Sequence, residues 1–150
     1  MGKLEPSETQ LHIAVAEFLD WILLPPAMYT TFPAGWGQLG FKTSKQLKRS
    51  GLKPGMPDIL VLYESRCIFI ELKAGKNKLS PVQREMHSKL RDAGFHIYIA
   101  KSIEDVITVL VHERIPTRTR PTVRKWVQHG DLLMTEATRD RMEAGRGIDG

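Results

Sequence analysis

The stretch that decides the fold is Gly55–Lys73, GMPDILVLYESRCIFIELK. Ile59–Tyr63 and Cys67–Leu72 are dense in β-branched and other apolar residues, so they read as two strands joined by a short turn. The first run is nearly all apolar, which predicts a strand inside a sheet covered on both faces. If Tyr63 pairs with Arg66 across a two-residue turn, the paired numbers sum to a constant, and Asp58 stands opposite Glu71. Direct cross-strand neighbours have Cβ atoms roughly 4.5–5.5 Å apart. Glu71 and Lys73 are two apart on one strand and share a face. The hairpin therefore predicts one cluster of two carboxylates and an ammonium. The Glu64–Ser65–Arg66 turn holds no glycine to fix its type, so the cluster rests on the register.

Working outward, Ser7-Glu8-Thr9-Gln10 reads as a capping box, with reciprocal bonds between the Ser7 and Gln10 side chains and each other's backbone N–H. A helix follows to about Ile22, with Leu11, Ala14, Val15, Phe18, Leu19 and Ile22 at helical spacing, and Pro25-Pro26 stops it. Met28–Phe32 suits a short strand. Pro33–Gly40 is a glycine-containing loop carrying Trp36, and Phe41–Lys53 is polar and basic, with room for a helical turn whose limits the pattern does not give. Downstream, Ser80-Pro81-Val82-Gln83 is a second capping box with proline at the first helical position. That helix should end at Gly94. Phe95–Ala100 is a further strand, and Ser102 caps a last clear helix to roughly His112. Helix, strand, hairpin, helix, strand, helix is an α/β order. A hairpin combined with a crossover helix requires a mixed sheet.

The chain has 150 residues, enough for one compact domain, and ordinary apolar and charged fractions, which exclude wholesale disorder. The formal charge of +5 favours polyanion partners. Cys67 is the sole cysteine, so an intramolecular disulfide is impossible and a cysteine zinc site is not expected. Met1–Thr9 lacks a basic stretch followed by a long apolar run, and no apolar stretch is long enough to span a bilayer. The expectation is an intracellular, reducing location, with no membrane partner and no small-molecule cofactor. From Pro116 the texture changes to a threonine- and arginine-rich sequence, which divides the chain into a domain over 1–115 and a basic extension over 116–150.

The predicted cluster carries the chemistry. Two facing carboxylates destabilise a bare sheet. A divalent cation relieves the repulsion, and carboxylates, a backbone carbonyl and water are hard oxygen ligands suited to Mg²⁺ or Mn²⁺. Such an ion polarises a phosphoryl oxygen and acidifies a bound water, and Lys73 is placed to orient that water or stabilise developing negative charge. Taken singly, Asp58 is better explained as the end of a turn and Glu71 with Lys73 as a solvated strand end; it is the joint pattern, Gly-x-Pro-Asp then Glu-x-Lys after a hairpin-length gap, that chance does not readily give.

Gly55-x-Pro57-Asp58, Glu71-x-Lys73 and Ser80-x-x-Gln83 together resemble the PD-(D/E)XK nuclease superfamily, and within it the stand-alone VRR-NUC domain family, over about Pro6–His112. The resemblance implies a restriction-endonuclease-like αβββαβ core and a Mg²⁺- or Mn²⁺-dependent phosphodiesterase. It implies metal binding by Asp58, Glu71 and the backbone carbonyl of Leu72, and a catalytic Lys73. Gln83 falls where the family carries a motif glutamine; it equally completes the capping box. Similar small enzymes of phages and bacteria act on branched DNA such as four-way junctions or flaps, often as homodimers, so the resemblance implies the cytoplasm of a bacterium or of a phage-infected host cell.

The family also places an acidic residue on the first helix. Glu8 and Glu17 are nine apart, about half a turn out of phase at ~100° per residue, so they cannot both face the site. The apolar stripe centres roughly 45° from Glu8 and well over 90° from Glu17, which selects Glu8 as the metal carboxylate; its alternative reading is a first-turn charge on the macrodipole.

Lys42, Lys45, Lys48, Arg49 and Lys53 precede the cluster and Lys76 and Lys78 follow it; together they suit a phosphate groove. Trp36 suits stacking on a base or a place in the core. His12, His87, His96, His112 and His129 show no ligand spacing, so no histidine metal site is expected. Thr122–Leu133 faintly resembles the reading helix of excisionase-like domains, but packing of a basic extension on the core or on a second subunit is the preferred reading. Two other functions fit the same residues. One is a non-catalytic DNA-binding module, marked by salt-dependent binding without strand scission. The other is a sequence-specific restriction-type nuclease, marked by cleavage that follows base sequence rather than DNA shape.

Overall fold

The computed structural model describes residues 6–32 and 41–118. Its elements are α1 (Glu8–Ile22), β1 (Met28–Thr31), α2 (Phe41–Arg49), β2 (Ile59–Tyr63), β3 (Arg66–Leu72), α3 (Pro81–Asp92), β4 (His96–Ala100) and α4 (Ile103–His112). The order of the expected elements is reproduced, and the basic stretch before the hairpin forms a nine-residue helix rather than a single turn. The extension beyond Arg118, with its Thr122–Leu133 segment, and Trp36 lie outside the described residues.

One four-stranded sheet runs in the order β1-β2-β3-β4. β1, β2 and β3 pair antiparallel, and β4 joins β3 in parallel after the α3 crossover, giving the mixed sheet. Tyr63 pairs with Arg66 and Ile59 with Ile70, so the hairpin register is the one read from the sequence. The turn closes with Glu64 at φ 48° and Ser65 at φ 60°. Both central residues are left-handed, as a type I′ hairpin turn requires, although neither is glycine.

The core lies between one sheet face and the pair α1 and α4. Leu11, Val15, Phe18 and Leu19 of α1, Ile59 and Val61 of β2, Ile68, Ile70 and Leu72 of β3, and Ile103 and Val106 of α4 are all buried there. Each large side chain buried this way contributes about 1.5–3 kcal/mol. Ser7 and Ser80 close the capping boxes of α1 and α3. The other face carries α3, and there Phe69 meets Phe95 edge-on at 5.8 Å. On β2 only Ile59 and Val61 are buried, while Leu60 and Leu62 on the opposite face stay half-exposed. The expectation that both faces of this strand are covered therefore holds for one face. α3 contacts β4 beyond β3 and leaves β2 partly bare.

At the hairpin end of the sheet, Glu113 follows α4 and is buried. It accepts from Arg66 at 2.9 Å and from the Tyr98 hydroxyl, and lies 2.6 Å from His96 Nδ1. Arg66 also donates to the Glu113 backbone carbonyl. Burial pushes this carboxyl up, but the hydrogen bonds from Tyr98 and His96, with the Arg66 charge, hold it below the ordinary glutamate range. The fold continues past His112: Ile115 is buried, and Thr117 bridges to Leu23.

Candidate active site

The opposite end of β2 and β3 gathers the charged residues. Continuing the hairpin register by one position brings Asp58 across from Glu71. The Phe32 N–H donates to the Asp58 carbonyl at 3.1 Å, extending the β1–β2 ladder to this point. The Asp58 side chain turns inward, and its Oδ2 accepts from the Leu72 N–H at 2.8 Å. The loop that presents it is pressed on α3. Gly55 has φ +80°, and a Cβ there would stand 2.6 Å from the Val82 carbonyl oxygen. Only glycine satisfies both constraints, so the Gly-Met-Pro-Asp loop and the first turn of α3 are one packed unit.

Glu71 is 1% exposed and is held from α3. Gln83 Nε2 donates to Glu71 Oε1 at 3.0 Å, and His87 Nε2 lies 3.3 Å from Glu71 Oε2. The two readings of Gln83 are both met by one amide. Its Oε1 accepts from the Ser80 N–H at 2.9 Å while its Nε2 donates to Glu71. Lys73 is also buried, with its Nζ 3.4 Å from Glu8 Oε1 and 3.6 Å from Glu71 Oε1. Glu8 of α1 thus reaches the cluster. Glu17 is exposed on another side of α1, beside His12, Asp20 and Tyr29.

Two carboxylates share this small space, and the electrostatics record it. Asp58 is pushed up from 3.8 to about 7, first by burial and then by the charge of Glu71; the Leu72 N–H and the Lys73 ammonium pull the other way without compensating. Glu8 Oε1 is buried and, beyond the Lys73 ion pair, has no hydrogen-bond partner among the described residues. A divalent cation would relieve the first feature, because Asp58 and Glu71 offer hard oxygens. The protein alone does not complete a cage: among the described residues no three His, Cys, Asp or Glu side chains are gathered for an ion. Glu8 faces Lys73 rather than converging with Asp58 and Glu71 on one point.

Of the basic residues, Lys45, Lys48 and Arg49 are exposed on α2, spaced so that they share one face of the helix. Lys53 is exposed in the loop leading to Asp58, and Lys76 and Lys78 in the loop leaving Lys73. Lys42 falls within α2. His87 is the site residue that the sequence pattern did not single out. Its signal was present four positions after Gln83, on the same helix face, but it pointed to another side chain rather than to a second histidine.

Residues 36–104 match the sequence pattern of the VRR-NUC domain family. A solved structure described as a VRR_NUC domain protein superposes with a TM-score of 0.59 at 21% identity, covering 77% of this chain and 93% of the other. That likeness concerns the fold. No curated protein matches the chain at a significant level.

Proposed function

We propose, from the match of residues 36–104 to the VRR-NUC domain family, that this chain is a nuclease-type, DNA-acting protein and, more closely, a Mg²⁺- or Mn²⁺-dependent DNA endonuclease. The observation that carries the reading is the Asp58–Glu71–Lys73 cluster, in which an elevated carboxyl and a fully buried one stand beside a buried ammonium. Perturbed, desolvated groups of this kind concentrate at functional sites.

Asp58, Glu71 and the Leu72 carbonyl would hold the ion, while Glu8 Oε1, 3.4 Å from Lys73 Nζ, would act through the ammonium rather than on the ion. The ion would polarise a phosphoryl oxygen and lower the pKa of a bound water. In the hydrolysis one water oxygen bonds to phosphorus and one P–O ester bond breaks, leaving a phosphate monoester and a free hydroxyl. Lys73 donates from Nζ to the attacking water or to a non-bridging oxygen, where it stabilises charge that grows in the transition state. Glu8 and Glu71 flank the ammonium and keep it aimed. The Leu72 N–H holds Asp58 in one rotamer. The exposed Lys45, Lys48 and Arg49 on α2, with Lys53, Lys76 and Lys78, supply phosphate contacts.

Branched DNA as the preferred substrate, a homodimeric assembly and a cytoplasmic location rest on the likeness to the stand-alone family. No described helix is long and apolar enough to cross a membrane. The test is a cleavage panel of single-stranded, duplex, flap and four-way DNA with Mg²⁺, Mn²⁺ and Ca²⁺. Scission of the branched substrates by the wild-type protein, reduced by ~10²-fold or more in Asp58→Ala, Glu71→Ala and Lys73→Ala, is expected. Full activity in Asp58→Ala would refute the assignment.

A further inference from the structure

We propose that His87 is a positioning residue that fixes the Glu71 carboxylate; the inference rests on the metal-dependent reading of the same site. Glu71 leaves β3 on the sheet face covered by α3, and two side chains one turn apart on that helix reach its two oxygens. Gln83 Nε2 donates to Oε1 at 3.0 Å, and His87 Nε2 lies 3.3 Å from Oε2. Both members of the second pair are buried, His87 at 0% and Glu71 at 1% exposure. A carboxylate oxygen only accepts, so the imidazole proton belongs on Nε2. Held at both oxygens from one rigid helix, the carboxylate plane cannot rotate. Oε1 is left as the oxygen on the Lys73 side, 3.6 Å from Nζ.

Packing does not explain a histidine here. Its Nδ1 is buried without a hydrogen-bond partner among the described residues. An apolar side chain of similar volume would fill the same space without an orphaned ring nitrogen. What the imidazole adds is a donor, and that donor meets Glu71 alone. Gln83 is itself occupied twice, at Ser80 and at Glu71. Without His87 the carboxylate would hang from one hydrogen bond and turn about it. Groups that orient a metal-binding carboxylate typically govern affinity by 10–100-fold.

The test uses the full chain and three proteins: wild type, His87→Leu, which removes the donor, and His87→Gln, whose amide N–H reaches to about where Nε2 sits. Mn²⁺ is titrated calorimetrically in the absence of DNA, and cleavage is measured in parallel. Expected is a roughly 10–100-fold weaker Mn²⁺ affinity in the leucine variant, largely restored in the glutamine variant, with all three melting cooperatively. If the leucine variant does not fold, His87→Asn, whose amide stops short of Glu71, takes its place. Unchanged Mn²⁺ affinity in the donor-less variant overturns the proposal and leaves the nuclease reading standing. Equal losses in the glutamine and donor-less variants also overturn it, because ring shape rather than donation would then matter. A wild-type protein that neither binds Mn²⁺ nor cleaves DNA overturns the nuclease reading, and this proposal with it.

Discussion

Replacing Asp58 with asparagine should stabilise the metal-free protein while abolishing cleavage, and the stabilisation should depend on pH. Asp58 stands at about 7 in the folded protein against an ordinary 3.8. The sign follows from proton binding. Between pH 4 and 7 the folded state keeps a proton that the unfolded chain has released, so stability falls as pH rises through that window. Above pH 7 the whole penalty is present, and below pH 4 none of it is. The elevation corresponds to about 4 kcal/mol at ~1.4 kcal/mol per pH unit. Asp58 is only partly buried, and solvent screening brings the expected effect to ~2 kcal/mol. Asparagine keeps an oxygen to accept the 2.8 Å bond from the Leu72 N–H, so the comparison isolates the charge. The assay is urea unfolding of both proteins in EDTA from pH 4 to 8. The gap should be near zero at pH 4 and ~2 kcal/mol in favour of asparagine at pH 8. Adding Mn²⁺ at about a hundred times its dissociation constant should raise the wild type alone by ~2.7 kcal/mol and close the gap. A wild type as stable as the asparagine variant at pH 8 in EDTA, or a gap independent of pH, would refute the reasoning.

Two further outcomes follow from the scaffold and the charges around the site. Gly55→Ala places its Cβ 2.6 Å from the Val82 carbonyl oxygen at φ +80°, whereas Gly51→Ala at φ +97° enters open space. Thermal melting should show a loss of about 1 kcal/mol at Gly51 and about 3 kcal/mol at Gly55; equal losses would mean that the loop does not press on α3. Replacing Lys45, Lys48 and Arg49 together with glutamine should flatten the salt dependence of DNA binding, by about 0.9 in log–log slope for each phosphate no longer neutralised. Binding measured in the cleavage-deficient Asp58→Asn protein checks this, and an unchanged slope would remove α2 from the DNA groove.

The hairpin was legible because its information is local. Two apolar runs, a two-residue gap and the arithmetic of antiparallel pairing are enough to place Asp58 across from Glu71, and the ladder confirms the register down to Ile59 and Ile70. The capped helices were legible for the same reason: Ser7 and Ser80 meet their N–H groups within three residues. What the sequence did not reveal is tertiary. α2 has little apolar patterning to announce it, with Lys42, Lys45, Lys48 and Arg49 crowded into nine residues. The coverage of β2 depends on where α3 comes to rest, which no strand pattern contains. Glu113 gave no signal at all, since its partners Arg66, His96 and Tyr98 come from two strands far from it in the chain. His87 stayed hidden because metal-ligand histidines are recognised by their spacing from each other, and this one is spaced from a glutamine.

The two ends of the sheet show why the charges at one of them call for a functional explanation. Glu113 and Glu71 are both buried carboxylates, at 4% and 1% exposure, on the same scaffold. At the hairpin end the buried charge is matched: Arg66 neutralises Glu113, Tyr98 and His96 complete its hydrogen bonds, and its carboxyl is held down. A network satisfied in this way stabilises the fold and has nothing left over. At the other end Asp58 and Glu71 have one ammonium between them, Lys73, which Glu8 also claims. Asp58 is pushed up, and among the described residues Glu8 Oε1 and His87 Nδ1 lack a hydrogen bond. The fold can therefore satisfy a buried carboxylate, and does so where stability is the only demand. Leaving the Asp58 end unsatisfied lowers stability, and that deficit is one a divalent cation and a phosphodiester can fill.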